Sequence, residues 1–266
     1  MQTRNYSPRS IGTYIHMLNA LEEYHNTSID EISISQVKDF LQYSIETRKV
    51  SVSYINQVIS AVKILQKDVL GREWESIRIK RPRRVKKLPV VLSKEEVKSM
   101  IETTRNLKHR SIFAVIYSAG LRISELINLL PSDIDSDRKQ IRVLGKGNKY
   151  RYTLLSENTL DLLRIYWRAY KPERYLFEGQ QQGQPISRET IQVVFKHACK
   201  KTGINKQATV HSLRHSFATH LLESGVNLKI IQSLLGHSSL RTTSIYLHVT
   251  RFDPASIRSP FDEIAS

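Results

Sequence analysis

The sequence predicts a mainly α-helical protein that carries one small antiparallel β-sheet and is divided into two domains. Apolar residues recur at helical spacing along most of the chain, which is the pattern of amphipathic helices. Two short β-prone runs flank a glycine-rich turn, and a basic segment containing proline interrupts the helical pattern. A chain of 266 residues is long enough for two modest domains, each with its own core.

The first domain, residues 1–80, is predicted to be a small helical bundle. Ser7 and Pro8 have the character of an N-cap and a first helical residue, and Gly71 closes the third helical pattern. The apolar faces of the three helices consist of Ile11, Tyr14, Ile15, Leu18 and Leu21; Val37, Phe40, Leu41 and Ile45; and Ile55, Val58, Ile59, Val62, Leu65 and Val69.

A basic segment follows, which we interpret as an interdomain linker over residues 81–92. Basic runs are usually no more than solvated chain, but one that joins two domains of a cationic protein is well placed to follow a phosphate backbone. The sequence therefore predicts DNA-binding residues at Arg81, Arg83, Arg84, Lys86 and Lys87.

The second domain, residues 93–266, is predicted to be helical apart from one hairpin. Ser93 and Glu96 form a capping box, in which each side chain satisfies the other's backbone donor at the start of a helix. A lysine, Lys146, lies in the turn between the two β-prone runs. These runs are residues 140–144 and 150–155, and the later helical breaks lie at residues 179–185, Gly203 and Gly225.

The composition indicates a polyanionic partner. Lys and Arg number 41 against 25 Asp and Glu, which gives a formal net charge of +16 and a pI near 9.9. A generically basic protein, such as a ribosomal one, would share this balance, because charge alone does not say what happens to the nucleic acid. The single cysteine, Cys199, excludes an internal disulfide, and no stretch resembles a membrane span or a secretory signal. We expect a cytoplasmic, nucleoid-associated protein with no membrane partner.

Six residues of the second domain form a set that suits phosphoryl transfer. Charge that builds on the nonbridging oxygens of a five-coordinate phosphorus is stabilised by guanidinium forks, which match phosphate geometry and keep their charge. No metal or other cofactor is then required. The expected catalytic residues are two arginines, a lysine, two histidines and one tyrosine: Arg122, Lys146, His211, Arg214, His237 and Tyr246.

Each of these residues has an expected role. A tyrosine with a pKa of about 10 is almost fully protonated at pH 7, so attack by Tyr246 requires a base, which we assign to His211. Lys146, on the turn of the hairpin, would give a proton to the departing 5' oxygen of the sugar. His237 would donate a hydrogen bond to the phosphate.

Two of the segments also have simpler interpretations. Arg122 and Glu125 are three residues apart in an apolar segment, and from this segment alone a structural ion pair is the preferred interpretation. Asp133 and Asp135 could be metal ligands of a nuclease, but the sequence around them is typical of a turn.

A zinc site is the main alternative for the histidines. His211 and His215 have the spacing of a zinc pair, and His220 and His237 could complete the ligand set. However, no glutamate stands in the position that zinc proteases require, and Arg214 would put a fixed positive charge beside the cation. The phosphate site is therefore preferred.

Taken together and in this order, these segments resemble the tyrosine recombinases, also called the phage integrase family, and most closely the compact Xer-type and integron-type members. The most specific motifs are residues 211–222 (HSLRHSFATHLL), 235–239 (LGHSS) and 242–249 (TTSIYLHV). The six expected catalytic residues match the family motifs one by one. Glu125 and His215 match as well, but we assign them to structure, together with the core positions Leu213, Phe217 and Leu221.

The resemblance implies a C-shaped clamp around duplex DNA, made of a helical core-binding domain and a catalytic domain. It further implies that Tyr246 forms a 3'-phosphotyrosyl link and that strands exchange through a Holliday junction. Four identical subunits would act on two duplexes, with a monomer expected in free solution. The tail, residues 251–266, either docks onto a neighbouring subunit or is disordered.

Two other functions are compatible with the same sequence. A type IB topoisomerase shares this chemistry but relaxes supercoils as a monomer, and the small helical first domain argues against it. A noncatalytic DNA-binding protein could retain the fold, although the presence of all six residues argues against that function as well.

Overall fold

The computed structural model describes residues 6, 8–72, 88–145 and 149–250 of the chain. Its contacts divide the molecule into two compact units, Met1–Lys86 and Lys87–Ser266. The division falls within the segment that we interpret as the linker. No helix in the described parts of the chain combines the length and the apolar character needed to cross a membrane.

The first unit is built of amphipathic helices, as predicted, but Ile45 and Val69, which were assigned to the apolar faces, are 42% and 60% exposed near the ends of their helices. Pro8 is the first residue of α1, and serine side chains cap the next two helices, with a complete capping box between Ser33 and Gln36. A π-helical turn and then Gly71, with φ of 64°, end the third helix. The helices are α1 (Pro8–His25), α2 (Ile34–Glu46) and α3 (Val52–Ile64), and the π-turn is Leu65–Val69.

The buried face of α1 differs from the predicted one by a single position. Ile15 is 49% exposed, whereas Met17, which the prediction omitted, is 6% exposed. Tyr14, Met17, Leu18 and Leu21 follow the i, i+3, i+4, i+7 spacing of one narrow stripe, and Ile15 lies beside it. Helix α1 packs on α3 through this stripe, so a side chain beside it remains in solvent.

In its described residues, the second unit consists of helices around one small sheet. The predicted capping box is present, since Ser93 accepts from the backbone of Glu96 and the carboxylate of Glu96 accepts from the backbone of Ser93. The helices are α4 (Lys94–Thr103), α5 (Leu107–Ala119), α6 (Ile123–Ile127), α7 (Glu157–Tyr170), α8 (Arg188–Lys201), α9 (Val210–Glu223), α10 (Leu228–Leu235) and α11 (Leu240–Thr243). Two 3₁₀ turns, Pro131–Asp133 and Ser244–His248, complete these elements.

The predicted hairpin is part of a three-stranded antiparallel sheet in the order β1-β2-β3. The short strand β1 was not predicted, because two residues carry too little periodicity to be recognised. Asp133 lies in a turn, as expected, and accepts a bond from Arg142 over 2.9 Å. The strands are β1 (Ile134–Asp135), β2 (Gln140–Leu144) and β3 (Tyr150–Leu154).

Helix α5 lies at the centre of the second unit and packs against both α7 and α9. It ends at Gly120, whose φ of 61° is accessible to glycine at little cost. A Cβ at this position would lie 2.4 Å from Cδ1 of Phe217, so the end of α5 and α9 can approach this closely only because the residue is glycine. This close approach brings the carbonyl of Gly120 to the candidate site.

Candidate active site

Arg214 is the central residue of the candidate site. It lies on α9, and only 1% of its surface is exposed. Its Nη1 atom donates to the carbonyl of Gly120 over 2.6 Å, and Nη2 donates to the carbonyl of Leu235 over 2.7 Å. These bonds offset part of the cost of removing a charge from water. Burial lowers the pKa of Arg214 to about 9, so the guanidinium still carries its charge near neutral pH.

Glu125 connects the arginines of the site. Its carboxylate is 5% exposed and lies 3.6 Å from Nη1 of Arg214. Arg122 donates its backbone N–H and its Nη1 to this carboxylate, each over 2.7 Å. Arg151 donates Nη1 and Nη2 over 2.9 and 3.0 Å. The ion pair between Arg122 and Glu125 that the sequence suggests is therefore present, within a larger cluster.

The charge of this cluster favours an anion. Burial alone would raise the pKa of Glu125, but the hydrogen bonds and charge of Arg151, with contributions from Arg122 and Arg214, hold that pKa below its ordinary value. The carboxylate is therefore ionised. Three guanidinium groups around one carboxylate leave an excess of positive charge, and such groups match the geometry of a phosphate.

Arg151 is a member of the site that sequence reasoning missed. It lies on β3 with 11% of its side chain exposed, and its Nε atom donates to the carbonyl of Leu234 over 2.9 Å. Gly236 ends α10 with φ of 63°, and a Cβ there would lie 2.7 Å from Cδ of Arg151. Arg151 therefore joins the hairpin, Glu125 and the end of α10.

The alternation of side chains along β3 could have identified Arg151. Residues 150 and 152 are exposed tyrosines, whereas Thr153, two positions after Arg151, is buried on the same face as Arg151. When a strand has one exposed face and one buried face, an arginine on the buried face needs an anionic partner.

His237 follows Gly236 and contacts Arg214. The Nη2 atom of Arg214 lies 3.1 Å from Nε2 of His237, and Nδ1 of His237 lies 3.0 Å from Oγ1 of Thr243. Because a guanidinium can only donate, Nε2 is an acceptor and Nδ1 carries the proton that is donated to Thr243. Desolvation, followed by the charges of Arg214 and Arg122, lowers the pKa of His237 to about 4. The ring is therefore neutral near pH 7 and helps to orient Arg214.

Tyr246 lies on the 3₁₀ turn Ser244–His248 and is 2% exposed. Its ring packs in an apolar cluster that includes Phe217 and Leu235. Burial raises the pKa of Tyr246 above its ordinary value, and the charges of Arg214 and Arg122 oppose this rise. The neutral phenol therefore needs a proton acceptor before its oxygen can act as a nucleophile.

The acceptor position next to Tyr246 is occupied by His215. The Nδ1 atom of His215 lies 3.1 Å from the hydroxyl of Tyr246. This contact departs from the sequence analysis, which assigned His215 to structure and the role of base to His211. The ring of His211 packs edge-to-face on that of His215, with ring centroids 4.6 Å apart. Spacing along a helix could not distinguish the two histidines, because both lie within one turn of Arg214.

The histidines considered for a zinc site have separate partners. His220 lies 2.9 Å from the hydroxyl of Tyr117 through Nδ1, whereas His215 and His237 contact the partners described above. Within residues 6, 8–72, 88–145 and 149–250, no group of three or more His, Cys, Asp or Glu side chains is arranged to hold a metal ion.

The remaining predicted residues lie outside the described parts of the chain. They are the hairpin lysine, Lys146, and the linker residues Arg81, Arg83, Arg84, Lys86 and Lys87. The base of the hairpin is held by a hydrogen bond from the backbone N–H of Gly145 to the carbonyl of Lys149, over 2.8 Å.

Comparison with known proteins gives the same family for both units. Residues 90–251 match the model of the phage integrase family, and residues 1–76 match the N-terminal SAM-like domain of phage integrases. The protein y4qK of Sinorhizobium fredii is 36% identical over 264 residues, which cover 98% of this chain and 86% of the relative. The tyrosine recombinase XerD of Staphylococcus saprophyticus is 32% identical over 267 residues, covering 96% and 89%.

A solved structure supports the same assignment. The XerH site-specific recombinase, bound to its difH substrate in a pre-cleavage complex, superimposes with a TM-score of 0.74 at 25% identity. The match covers 99% of this chain and 80% of that one. The resemblance inferred from the three sequence motifs is thus confirmed, and the chain belongs to the phage integrase family of tyrosine recombinases.

Proposed function

We propose that this recombinase cleaves and rejoins double-stranded DNA at a specific site, with Tyr246 as the nucleophile. The observation that carries the proposal is the charge around Arg214, a fully buried guanidinium within a cluster of arginines beside the phenol. A cationic site next to one nucleophile suits attack on a phosphodiester. The other proposed catalytic residues are Arg122, Lys146, His211, Arg214 and His237. Both ring nitrogens of His237 are engaged, by Arg214 and Thr243, so His237 would act by positioning Arg214 and not by the expected donation to the phosphate.

Arg122 and Arg214 would hold the scissile phosphate. Both are tied to Glu125, so their guanidinium groups are oriented before the substrate arrives. A preorganised donor that stabilises charge only in the transition state is worth about 3 to 4 kcal/mol. Because Arg214 keeps its charge near neutral pH, the stabilisation requires no proton transfer.

The reaction conserves the energy of the bond that it breaks. The phenolic oxygen of Tyr246 forms a bond to phosphorus, and the 5' oxygen of the sugar leaves with a proton from Lys146. The product is a 3'-phosphotyrosyl ester and a free 5'-hydroxyl. The 5'-hydroxyl of a partner strand then attacks the ester and releases Tyr246, so two such exchanges resolve a Holliday junction without ATP.

We further propose how the chain engages DNA. Residues 1–80 would serve as the core-binding domain, residues 93–266 as the catalytic domain, and the basic linker between them would contact the phosphate backbone. Four copies would act on two duplexes, with a monomer in free solution, in the cytoplasm at the nucleoid. The solved complex of XerH with its difH substrate supports a DNA substrate for this chain.

Strand exchange between two duplexes tests this function. Duplexes are first selected from a random-sequence pool by covalent capture on the wild-type protein, and two labelled duplexes with the selected site are then incubated together. We expect recombinant products that carry both labels. Relaxation of a supercoiled plasmid without any recombinant product would instead indicate a type IB topoisomerase, and binding of duplexes from the pool without covalent capture of any of them would indicate a noncatalytic protein.

A further inference from the structure

The hydroxyl of Tyr246 has a partner to which no role has been given. Its oxygen lies 3.1 Å from Nδ1 of His215, within hydrogen-bond distance. His215 lies on α9 directly after Arg214, so it is fixed to the same rigid helix as the phosphate-binding arginine. The ring of His215 is partly buried and is backed by the ring of His211. The geometry of a proton acceptor is thus already present next to the nucleophile.

We propose that His215 positions the hydroxyl of Tyr246 and takes its proton when the phenolic oxygen bonds to phosphorus. This inference rests on the proposed function and replaces the assignment of His211 as the base. His211 then belongs to the phosphate side of the site, where it lies three residues before Arg214 on the same helix.

The charge state of His215 suits this role. The ring of His215 has titratable or charged neighbours on two elements. They are His211 and Arg214 on its own helix, and the phenol of Tyr246 on the 3₁₀ turn Ser244–His248. Desolvation, followed by His211 and Arg214, lowers the pKa of His215 to about 4, so the ring is neutral at pH 7. A bound phosphate would offset the positive charge of Arg214 and thereby make the ring a stronger base at the moment of reaction.

Bonds and protons balance in both cleavage and rejoining. In cleavage, the bond from the Tyr246 oxygen to phosphorus forms, the bond from phosphorus to the 5' oxygen breaks, and the phenolic proton moves to Nδ1 of His215. Lys146 supplies the proton of the leaving 5' oxygen. In rejoining, Lys146 recovers a proton from the attacking 5'-hydroxyl, and His215 returns its proton to Tyr246.

Two variants separate positioning from proton transfer. His215→Asn keeps a hydrogen-bonding atom at the place of Nδ1 but cannot carry the proton, and His215→Ala removes both capacities. The matched control is His220→Asn, because His220 lies on the same helix and its Nδ1 contacts the hydroxyl of Tyr117 in the same way, over 2.9 Å. Each variant is tested for the rate of covalent adduct formation on the selected nicked duplex and for DNA affinity.

We expect both changes at His215 to slow adduct formation by about 100-fold or more with unchanged DNA affinity, whereas His220→Asn retains the wild-type rate. Replacing Tyr246 by a difluorotyrosine, whose phenol is more acidic, would restore much of the rate of His215→Asn. A duplex with sulfur in place of the bridging 5' oxygen needs no proton on its leaving group, so it would rescue Lys146→Ala but not His215→Asn.

Other results overturn the inference. A wild-type rate in His215→Asn would show that only the hydrogen bond matters, and faster cleavage in His215→Ala would show that His215 restrains Tyr246. Rescue of His215→Asn by the sulfur substrate would show that His215 helps to protonate the leaving 5' oxygen and does not remove the proton of Tyr246. Failure of the wild-type protein to capture any duplex covalently from the random-sequence pool would instead overturn the proposed function itself.

Discussion

At the scale of single residues, the site depends on a charge that is kept away from water. Arg214 is 1% exposed and is held by two carbonyls, by His237 and at longer range by Glu125. Removing one partner of such a buried charge costs about 3–5 kcal/mol, because the remaining group is left unpaired. In the proposed reaction, these contacts would fix the orientation of the guanidinium before a phosphate arrives.

Replacing Arg214 by lysine should therefore be severe. Arg214→Lys keeps a charge but loses the planar fork that reaches two carbonyls at once, and we expect adduct formation to fall by about 100- to 1,000-fold. The matched control is Arg142→Lys, because Arg142 lies on β2 with 42% of its side chain exposed and pairs with Asp133 of the preceding 3₁₀ turn. Single-turnover cleavage rates measure both variants, and equal rates for Arg214→Lys and the wild type would contradict the role of the fork.

The buried histidines should make stability depend on pH. The pKa values of His215 and His237 are both lowered to about 4, below the ordinary value of 6.5. In the unfolded chain these rings take up protons as the pH falls below about 6.5, while the folded protein leaves them neutral until about pH 4, so stability is lost across that window. The midpoint of thermal unfolding should fall less steeply between pH 6.5 and 4 in a double variant, His215→Asn with His237→Asn. Parallel curves for the two proteins would contradict these lowered pKa values.

At the scale of the elements, periodic patterns predicted most of the helices and the hairpin. The serine cap at Ser93 and the breaks at Gly203 and Gly225 are local signals, and the structure has them where the sequence predicts them. Shorter elements were missed, among them the 3₁₀ turn that carries Tyr246, because five residues do not give a readable period.

Which residues contact one another in the candidate site was harder to predict from the sequence than which residues share a helix. The spacing of residues within one helix brought Arg214 and His211 to the same region. However, which histidine contacts Tyr246 depends on how the 3₁₀ turn packs against α9. A tertiary contact of this kind cannot be predicted from the spacing of residues within one helix. Arg151 was overlooked for a different reason, because its partner Glu125 is 26 residues away in the chain.

The junction of α5 and α9 gives a prediction at this scale. In Gly120→Ala, the new Cβ would meet Phe217 at 2.4 Å in a backbone with φ of 61°. Such a clash adds typically about 1–3 kcal/mol to the cost of the left-handed backbone, and it would displace the carbonyl that binds Arg214. Gly203→Ala is the matched control, with φ of 68° and open space around its Cβ, and it should cost only about 1–2 kcal/mol. Chemical denaturation measures both, and equal losses of stability would show that the close approach to Phe217 is unimportant.

At the scale of the whole molecule, the net charge of +16 governs how the protein meets DNA. Each phosphate that a basic side chain neutralises releases counterions. The logarithm of the DNA affinity therefore falls linearly with the logarithm of the salt concentration, and the slope is proportional to the number of phosphates neutralised. This effect strengthens binding to any DNA and does not discriminate between DNA sequences. The proposed linker residues would act through this effect, whereas the proposed role of the arginine cluster around Glu125 is in the cleavage reaction.

Neutralising the linker should therefore change the salt dependence of binding. In a variant with Arg81, Arg83, Arg84, Lys86 and Lys87 replaced by glutamine, the slope of log affinity against log salt should become shallower by about 0.9 for each phosphate that the linker no longer neutralises. A control variant exchanges arginine for lysine and lysine for arginine at the same positions, which preserves the charge and should preserve the slope. Fluorescence anisotropy of labelled DNA at several salt concentrations measures this slope. An unchanged slope in the glutamine variant would remove the linker from the DNA interface.

The central claim is that Tyr246 becomes covalently joined to DNA, and a denaturing gel tests it most directly. A labelled nicked duplex carrying the selected site is incubated with the wild type, with Tyr246→Phe and with Tyr117→Phe. The last variant removes a different tyrosine hydroxyl that also contacts a histidine on α9. We predict a denaturation-resistant adduct with the wild type and Tyr117→Phe and none with Tyr246→Phe, and digestion of the adduct should yield one peptide with the phosphodiester on Tyr246. An adduct that persists in Tyr246→Phe would contradict the assignment of Tyr246 as the nucleophile.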